Sequence, residues 1–255
     1  MKFAIKSIVA AAAFVAAGVA SAAATTVNVG DSLNNLTLVG GTGKLSFSAD
    51  LMGALDTGHV TVDGWGVGTA TATQDADGYY TEVSATAKIT SAVVDSATNQ
   101  ILSVATAGGA TQTSPALRNV STGGTLTVGD LNVDLINKKV YATIIGGNGV
   151  GTKSNFYLWD ITNPVATESF IAGTNRTLNT ISGLRITTEG FDVFTKSLGL
   201  LSQGVGAMKT ITDYGTITTT MTVTAAAVPE PSTYGLMGVG IACIGLVARR
   251  RRRAA

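Results

Sequence analysis

Residues 83–90 read VSATAKIT, and in this stretch every odd-numbered position is apolar while every even-numbered position is polar. Alternation with a period of two residues is typical of a strand that has one face in the core and the other in solvent. Apolar residues continue to Val94, Asp95–Asn99 supplies turn residues, and residues 101–104 are again mostly apolar. The sequence therefore predicts a β-hairpin here.

A second hairpin is predicted around Asn137 and Lys138, with strands at 130–135 and 140–144. The chain is rich in Thr, Ser, Ala, Val and Gly, which favours strands over helices. Further strands are predicted at Thr25–Val29, Leu36–Val39, Lys44–Ser48, His59–Val62, Asn155–Ile161, Gly183–Thr187 and Thr216–Thr224. We therefore expect a mainly β fold, an antiparallel β-sandwich or barrel-like domain.

One or two short helices are expected within this domain. One begins at Thr188 and has Phe191, Phe194, Leu198 and Leu201 near one face, and a shorter one covers Ala49–Leu55. The segments that lead into them, Leu45–Asp50 and Leu184–Glu189, share one order of residue types: Leu, polar, Phe or Ile, Ser or Thr, small, acidic. Two related halves would explain this likeness, and so would chance in a low-complexity composition.

Residues 1–24 have the pattern of a secretory signal peptide. Lys2 and Lys6 precede an apolar stretch at about 8–20, and small residues then offer cleavage sites that end at Ala22 or Ala24. An ordinary N-terminal helix is the alternative, but no polar face interrupts the run. We expect a signal helix here, followed by an extracytoplasmic β-rich domain at 25–224.

The segment 225–255 combines a proline-rich motif, an apolar run and a basic cluster. Tyr234–Ala248 contains no charge and would span roughly 23 Å as a helix, against a bilayer core of about 30 Å. A short transmembrane helix is therefore expected, and five arginines after it act as a stop-transfer signal. These are Arg249, Arg250, Arg251, Arg252 and Arg253.

Val228, Pro229, Glu230 and Pro231, together with the glycine-containing run and the arginine cluster, resemble the PEP-CTERM sorting signal. Such signals occur on exported proteins of Gram-negative bacteria that make extracellular polysaccharide. The resemblance implies processing near the Pro-Glu-Pro by an exosortase, a membrane-embedded cysteine transpeptidase. It also implies a precursor anchored in the inner membrane, and then a location at the cell surface or in the extracellular matrix. It covers about residues 228–253 and implies a sorting route, with a plain membrane anchor as the alternative.

The charge and cysteine content exclude several classes of function. Residues 25–228 carry 10 basic and 15 acidic residues, a net charge near −5, which argues against nucleic-acid binding. The single cysteine, Cys243, lies in the C-terminal apolar run. A cysteine nucleophile and a thiolate zinc site in the domain are therefore excluded. We expect no cofactor.

No catalytic residues are assigned from the sequence. His59 is the single histidine, it sits at a turn before a strand, and no Gly-x-Ser-x-Gly motif accompanies it. We interpret it as a surface or hydrogen-bonded polar residue. A two-carboxylate glycosidase stays open as an alternative, because sequence spacing does not reveal which acids converge.

Two motifs suggest binding but have simpler interpretations. Asp75 and Asp77 lie in QDADGY, which contains part of a calcium-binding loop but lacks the downstream Glu, and an Asp-Gly turn explains it more simply. The cluster Gly146–Gly151 lacks the Lys-Ser/Thr of a phosphate-binding loop. We predict a flexible loop there.

Aromatic residues offer a candidate sugar-stacking face. Tyr157 and Trp159 are expected on the same side of one strand, and core packing is the more common explanation for such residues. The full set is Trp65, Tyr79, Tyr80, Tyr141, Tyr157 and Trp159. The first hypothesis is thus an exported, non-enzymatic cell-surface or matrix protein. The second is a carbohydrate- or metal-binding module, and the third is an extracellular polysaccharide hydrolase.

Overall fold

The computed structural model describes residues 23–225, which form one antiparallel sheet of 14 strands and three short helices. The strands are β1 Ala24–Asn28, β2 Ser32–Leu33, β3 Leu36–Phe47, β4 Thr61–Trp65, β5 Thr69–Gln74, β6 Tyr80–Asp95, β7 Ile101–Ala107, β8 Gly109–Leu117, β9 Ser121–Asp134, β10 Lys139–Gly146, β11 Gly151–Ile161, β12 Gly173–Ile181, β13 Leu184–Ile186 and β14 Gly215–Ala225. The helices are α1 Ala49–Gly58, α2 Thr188–Ser197 and α3 Ser202–Lys209. The prediction of a mainly β, antiparallel fold is confirmed.

The alternating stretch 83–90 lies in β6, the longest strand of the described residues. Val83, Ala85, Ala87 and Ile89 are buried, whereas Lys88 and Thr90 are exposed. The predicted turn after β6 is present: the Asp95 carboxylate accepts hydrogen bonds from the Ala97 amide and the Thr98 hydroxyl. The second predicted hairpin also forms, between β9 and β10.

The sheet closes on itself. Its strands follow the order β12-β14-β3-β6-β7-β9-β10-β11-β13, so β12 and β13 stand at opposite ends of the path. Only Ser182 and Gly183 separate these two strands in the chain. Because three peptide units span at most about 11 Å, the end of β12 lies close to the start of β13, and the Tyr214 amide, just before β14, donates to the carbonyl of Leu184 at 2.8 Å. The architecture is therefore barrel-like.

One corner of this barrel depends on Gly108, between β7 and β8. β7 pairs with β6, whereas β8 pairs with β4, and both β7 and β8 pair with β9. Gly108 has φ +88°, and a Cβ on it would lie 2.3 Å from the amide nitrogen of Gly68. The corner thus requires a residue without a side chain.

The three helices gather at one end of the barrel. Ser48 and Thr187 cap α1 and α2 in the same way: each side chain accepts a hydrogen bond from the amide three residues on, Leu51 in one case and Gly190 in the other. The likeness of the two segments that lead into these helices therefore extends to their capping geometry. The prediction of one or two helices is corrected to three among residues 23–225, because α3 contains two glycines and has no capping side chain to mark its start.

Both ends of the described chain leave the barrel at the opposite end, which we call the base. Ala24 lies opposite Asp95 in β6, and Ala225 lies opposite Leu36 in β3. The amide of Asn34, in the turn between β2 and β3, donates to the carbonyl of Ser96 at 2.9 Å and ties the two regions together. The chain therefore enters and leaves the barrel on the same side.

Two clusters of buried apolar residues fill the barrel. The larger lies under the helices and includes Leu51, Phe194 and Tyr214. The smaller lies toward the base and includes Leu38 and Val94. Burial of both clusters removes apolar surface from water and supplies the main stabilisation of this disulfide-free domain.

Several strands went unpredicted because their sequences lack a regular apolar alternation. β5 is a mostly exposed Thr/Ala strand, β8 contains Pro115, and β12 is a polar strand at one end of the sheet path. All but the last two residues of the predicted signal peptide lie outside the described residues, as do the sorting motif and the C-terminal apolar run. Among residues 23–225, no helix is long and apolar enough to cross a bilayer.

Candidate functional site

The outer face of the barrel carries a row of charges of alternating sign. Asp134 in β9 lies opposite Lys139 in β10, Lys139 lies opposite Asp160 in β11, and Asp160 lies opposite Arg185 in β13. We call this row the charge ladder. The ion pairs found among the described residues lie elsewhere, at Lys44–Glu82 and Arg176–Glu168. The charges of the ladder are therefore close neighbours without being locked into pairs.

A tyrosine pair lies beside the charge ladder. The rings of Tyr141 and Tyr157 have centroids 5.5 Å apart and a tilt of 38°. Lys139 Nζ lies 4.6 Å from the centroid of the Tyr157 ring, and the Tyr157 hydroxyl donates a hydrogen bond to Asp160. Burial, together with the Asp160 carboxylate, raises the pKa of Tyr157 to about 12. Both rings are half-buried, so the pair presents partly exposed aromatic surface with the polar groups of Lys139 and Asp160 beside it.

Trp159 is not part of that surface. It is 3% exposed, lies opposite Val140 and packs against Tyr214 in the core. The pairing register of β10 and β11 shifts at this point, because Val140 faces Trp159 whereas Tyr141 faces Tyr157. Leu158 is thus an extra residue that breaks the alternation. The expected placement of Tyr157 and Trp159 on one side is wrong, and Tyr141 is the ring beside Tyr157.

An open cleft of about 300 Å³ lies between the start of α2 and the end of α3. Its lining combines two cations, two hydroxyl-bearing residues and four apolar side chains. They are Arg185, Ile186, Thr187, Thr188, Phe191, Met208, Lys209 and Ile211. Arg185 also belongs to the charge ladder, so the cleft and the ladder adjoin.

Thr187 connects the cleft to the tyrosine pair. Its hydroxyl donates to the carbonyl of Tyr157 at 3.2 Å and accepts from the amide of Gly190 at 3.0 Å. The side chain is 7% exposed and serves as the N-cap of α2. This bonding fixes the first turn of α2 against β11, beside the tyrosine pair.

Cations dominate the charge of this cleft. Arg185 and Lys209 form no ion pair with any residue in 23–225. Among the described residues that line the cleft, none is Asp or Glu. The hydrolase hypothesis needs two carboxylates in one cleft, and this cleft does not supply them.

Asp75 and Asp77 sit in the turn between β5 and β6. The Asp75 carboxylate accepts hydrogen bonds from the amides of Asp77 and Tyr79, at 3.0 and 2.9 Å. Both aspartates are exposed. Within residues 23–225, no group of three or more His, Cys, Asp and Glu side chains comes together. This geometry is that of an Asp-Gly turn in which Asp75 holds the backbone.

His59 and the glycine cluster have structural roles. His59 is exposed and ends α1 in a left-handed conformation with φ 47°, which fits the predicted surface position before a strand. Residues 147–150 form the turn between β10 and β11, where the Asn148 amide donates to the carbonyls of Gly123 and Ser197. The predicted loop is therefore a turn that is tied to two other segments.

Sequence reasoning missed the charge ladder and the role of Arg185 and Lys209. A regular hairpin closed at 147–150 would set Tyr141 opposite Phe156, and the register shift between Ala142 and Ile144 sets it opposite Tyr157 instead. Arg185 joins the ladder only through the pairing of β11 with β13, and Lys209 reaches the cleft through α3. These contacts join distant parts of the chain, so local patterns do not reveal them.

Comparison with known proteins bears on the segment after β14. Residues 227–253 match the family model described as the PEP-CTERM protein-sorting motif. No curated protein and no solved structure matches the chain significantly. The match contains Pro229–Pro231 and Arg249–Arg253, and it confirms the resemblance drawn from these residues. The chain therefore carries a PEP-CTERM sorting signal, which marks it as an exported protein that is processed by an exosortase.

Proposed function

We propose that the protein acts as a non-enzymatic structural or interaction protein at the cell surface or in the exopolysaccharide matrix. The match of residues 227–253 to the PEP-CTERM motif is the observation that carries this proposal. The motif directs where the protein is delivered. The barrel between the two ends of the chain then makes the contacts with surface or matrix components. Tyr141, Tyr157 and the charge ladder give that barrel a polar and aromatic outer face.

The proposed route has three steps. Residues 1–24 direct export, the apolar run Tyr234–Ala248 holds the precursor in the inner membrane, and Arg249–Arg253 stay in the cytoplasm. The exosortase then cuts near Pro229–Pro231. The body is thereby transferred to the cell surface or released into the matrix.

The geometry of the barrel supports this route. Both ends of the described chain, at Ala24 and Ala225, leave at the base, so the segments before and after the barrel are attached on the same side. Pro229 is four residues beyond Ala225, a distance of at most about 14 Å along the chain. A precursor held at the membrane would therefore stand on its base, with the three helices directed outward.

The intact mass of the protein recovered from its host tests the proposal, with the exosortase gene present and deleted. We expect a mass that lacks the tail beyond about Pro229 in the parent strain, and a mass that retains the tail in the deletion strain. A mass that retains Arg249–Arg253 in both strains would contradict processing and indicate a plain membrane anchor.

Carbohydrate binding is the second candidate function, and the tyrosine pair favours it. Aromatic rings present apolar faces to the C–H groups of a sugar ring, and neighbouring charged groups bond its hydroxyls. Tyr141 and Tyr157 meet the first need, and Lys139 and Asp160 meet the second. Saturable binding of host polysaccharide that Tyr141→Ala abolishes, in a protein with an unchanged melting temperature, would support this function. Unchanged binding by that variant would remove it.

A further inference from the structure

The cleft between α2 and α3 lies at the helical end of the barrel, opposite the base. β3 runs from Leu36 at the base to Phe47, which pairs with Gly215 at the helical end. There the Ser48 hydroxyl donates to the carbonyl of Asp213 at 2.6 Å, and the Tyr214 amide donates to the carbonyl of Leu184 at 2.8 Å. The starts of α1, β13 and β14 therefore meet, and α2 begins two residues after β13. A ligand in this cleft would not compete with the segments that leave at the base.

The charge of the cleft differs from that of the domain around it. Residues 25–228 carry 15 acidic and 10 basic side chains, yet the two charged residues of the cleft are Arg185 and Lys209. Neither forms an ion pair among the described residues. Both line the same cleft, so an anion held there is attracted by two positive charges, while the carboxylate of Asp160 lies opposite Arg185 on the neighbouring strand. A guanidinium in particular matches the two oxygens of a carboxylate.

The start of α2 adds to this preference. α2 has 10 residues, and its first turn lies at the cleft, because Thr187 and Thr188 are among the lining residues. The partial positive charge of a helix N-terminus attracts an anion, and a free hydroxyl offers a further hydrogen bond. Thr188 provides that hydroxyl, since the Thr187 hydroxyl already bonds Tyr157 and Gly190.

The apolar part of the cleft indicates what the anion is attached to. Ile186, Phe191, Met208 and Ile211 line the remainder of its surface. A volume of about 300 Å³ is at the lower end of the range for small-molecule sites and holds about one sugar ring. An inorganic anion would use the cations and leave this apolar lining without a partner. A carboxylated sugar ring would contact the two cations through its carboxylate and the apolar lining through its ring.

We propose that the cleft between α2 and α3 binds the carboxylate-bearing sugar unit of an acidic saccharide. Arg185 and Lys209 hold the carboxylate, and Phe191 lies against the ring. Because Arg185 is also the last member of the charge ladder, further units of the saccharide would extend toward the ring of Tyr157 and the ammonium group of Lys139. This inference relies on the proposed function only in taking an extracellular polysaccharide as the source of the ligand.

Isothermal titration calorimetry with the protein recovered from its host tests the assignment. The probes are a tetrasaccharide of galacturonic acid, the neutral galactose tetrasaccharide and free galacturonic acid. We expect the acidic tetrasaccharide to bind and the neutral one to bind at least about tenfold more weakly, because each lost charged contact is worth about 1.4 kcal/mol or more. The affinity for free galacturonic acid, compared with that for the tetrasaccharide, shows whether the natural ligand is a single carboxylated unit or a polymer.

Matched charge variants locate the site. Arg185→Gln and Lys209→Gln should each weaken binding of the acidic tetrasaccharide at least about tenfold. Lys153→Gln, an exposed cation on β11, removes the same charge away from the cleft and should change binding less than twofold. Circular dichroism and the melting temperature check that each variant is folded. Should Arg185→Gln fail to fold, Lys209→Gln alone decides the outcome.

Three results would overturn the assignment: no binding of the acidic tetrasaccharide, equal binding of the neutral one, or equal losses in Lys153→Gln and Lys209→Gln. Tighter binding of the tetrasaccharide than of free galacturonic acid supports a polymer ligand, and equal binding supports a single carboxylated unit in the same cleft. The mass experiment on processing is independent of these results. A protein that is processed but does not bind would therefore refute the cleft assignment and leave the sorting proposal intact.

Discussion

Trp159 and Tyr214 pack against each other in the core, with ring centroids 6.4 Å apart. They are 3% and 1% exposed, and Phe194 meets Tyr214 edge to face at 6.2 Å. Trp159 Nε1 and Tyr214 Oη have no hydrogen-bond partner among the described residues. This cluster therefore gains from aromatic contact while it leaves two buried polar atoms unsatisfied.

Replacing Tyr214 by Phe should stabilise the protein by about 1 kcal/mol, because it removes a buried hydroxyl without a partner and keeps the ring. The free energy of unfolding in urea, extrapolated to water, measures the effect. Tyr80→Phe is the matched control: the Tyr80 hydroxyl donates to the carbonyl of Val60 at 2.9 Å, so its removal should cost about 1 kcal/mol. A loss of stability in Tyr214→Phe equal to that in the control would show that the Tyr214 hydroxyl has a partner.

Thr187→Ala should destabilise the protein by about 1–2 kcal/mol. The change removes the N-cap of α2 and the bond to the carbonyl of Tyr157. Ser48→Ala should act similarly on α1, because Ser48 makes the corresponding pair of bonds. Thr188→Ala, one residue into α2 and exposed, is the control and should stay within about 0.5 kcal/mol. Equal effects at 187 and 188 in thermal unfolding would argue against the capping role.

Two glycines should respond to alanine in opposite directions. Gly108→Ala places a Cβ 2.3 Å from the Gly68 amide nitrogen at φ +88°, so we expect a loss of at least about 2 kcal/mol. Gly53→Ala lies within α1, where a Cβ meets no atom within 4 Å, and should stabilise the protein by about 0.5–1 kcal/mol. Chemical denaturation of both variants measures the difference. A Gly108→Ala protein as stable as the parent would disprove the close corner between β7 and β8.

The hydroxyl of Tyr157 should make the protein sensitive to alkaline pH. Burial and Asp160 raise its folded-state pKa from 10.0 to about 12, so the folded state retains the proton longer than the unfolded state does. Its contribution to stability is fully present below pH 10 and is lost as pH rises toward 12. Tyr157→Phe should remove this part of the alkaline loss, which unfolding at pH 9 and pH 11 would measure.

Absorbance at 295 nm provides an independent check, because it follows the ionisation of tyrosines directly. Tyr157→Phe should remove one of the late-titrating tyrosines and leave the early part of the curve unchanged. An unchanged late part of the curve would show that Tyr157 ionises near its ordinary pKa.

The carboxylate of Asp95 should make the stability of the protein depend on pH in the acidic range. Hydrogen bonds from the Ala97 amide and the Thr98 hydroxyl hold the pKa of Asp95 below its usual value. This contribution is present above the unfolded-state pKa of about 3.9 and is lost as pH falls through the lower, folded-state value. Asp95→Asn should therefore be less stable than the parent at pH 7, with a smaller difference at pH 3. A difference that is the same at both pH values would contradict the assigned hydrogen bonds.

Local sequence patterns were sufficient to predict several strands, hairpins and helix starts. Stretches such as 83–90 alternate because one face of each strand must be apolar, and this predicted the hairpins at 95–99 and 137–138. The predicted helix starts at Ala49 and Thr188 are confirmed, and the structure shows that Ser48 and Thr187 cap them through amides only three residues away. The sorting signal was readable for the same reason, since an enzyme recognises it as a continuous segment.

How these elements meet depends on contacts between residues that are far apart in the chain. One extra residue in β11 sends Trp159 into the core and leaves Tyr157 beside Tyr141, a change that no alternation count reveals. The pairing of β13 with β11 places Arg185 next to Asp160, although 24 residues separate them in the chain. Register and closure depend on packing between residues far apart in the chain, so the candidate binding surface exists only in the folded barrel.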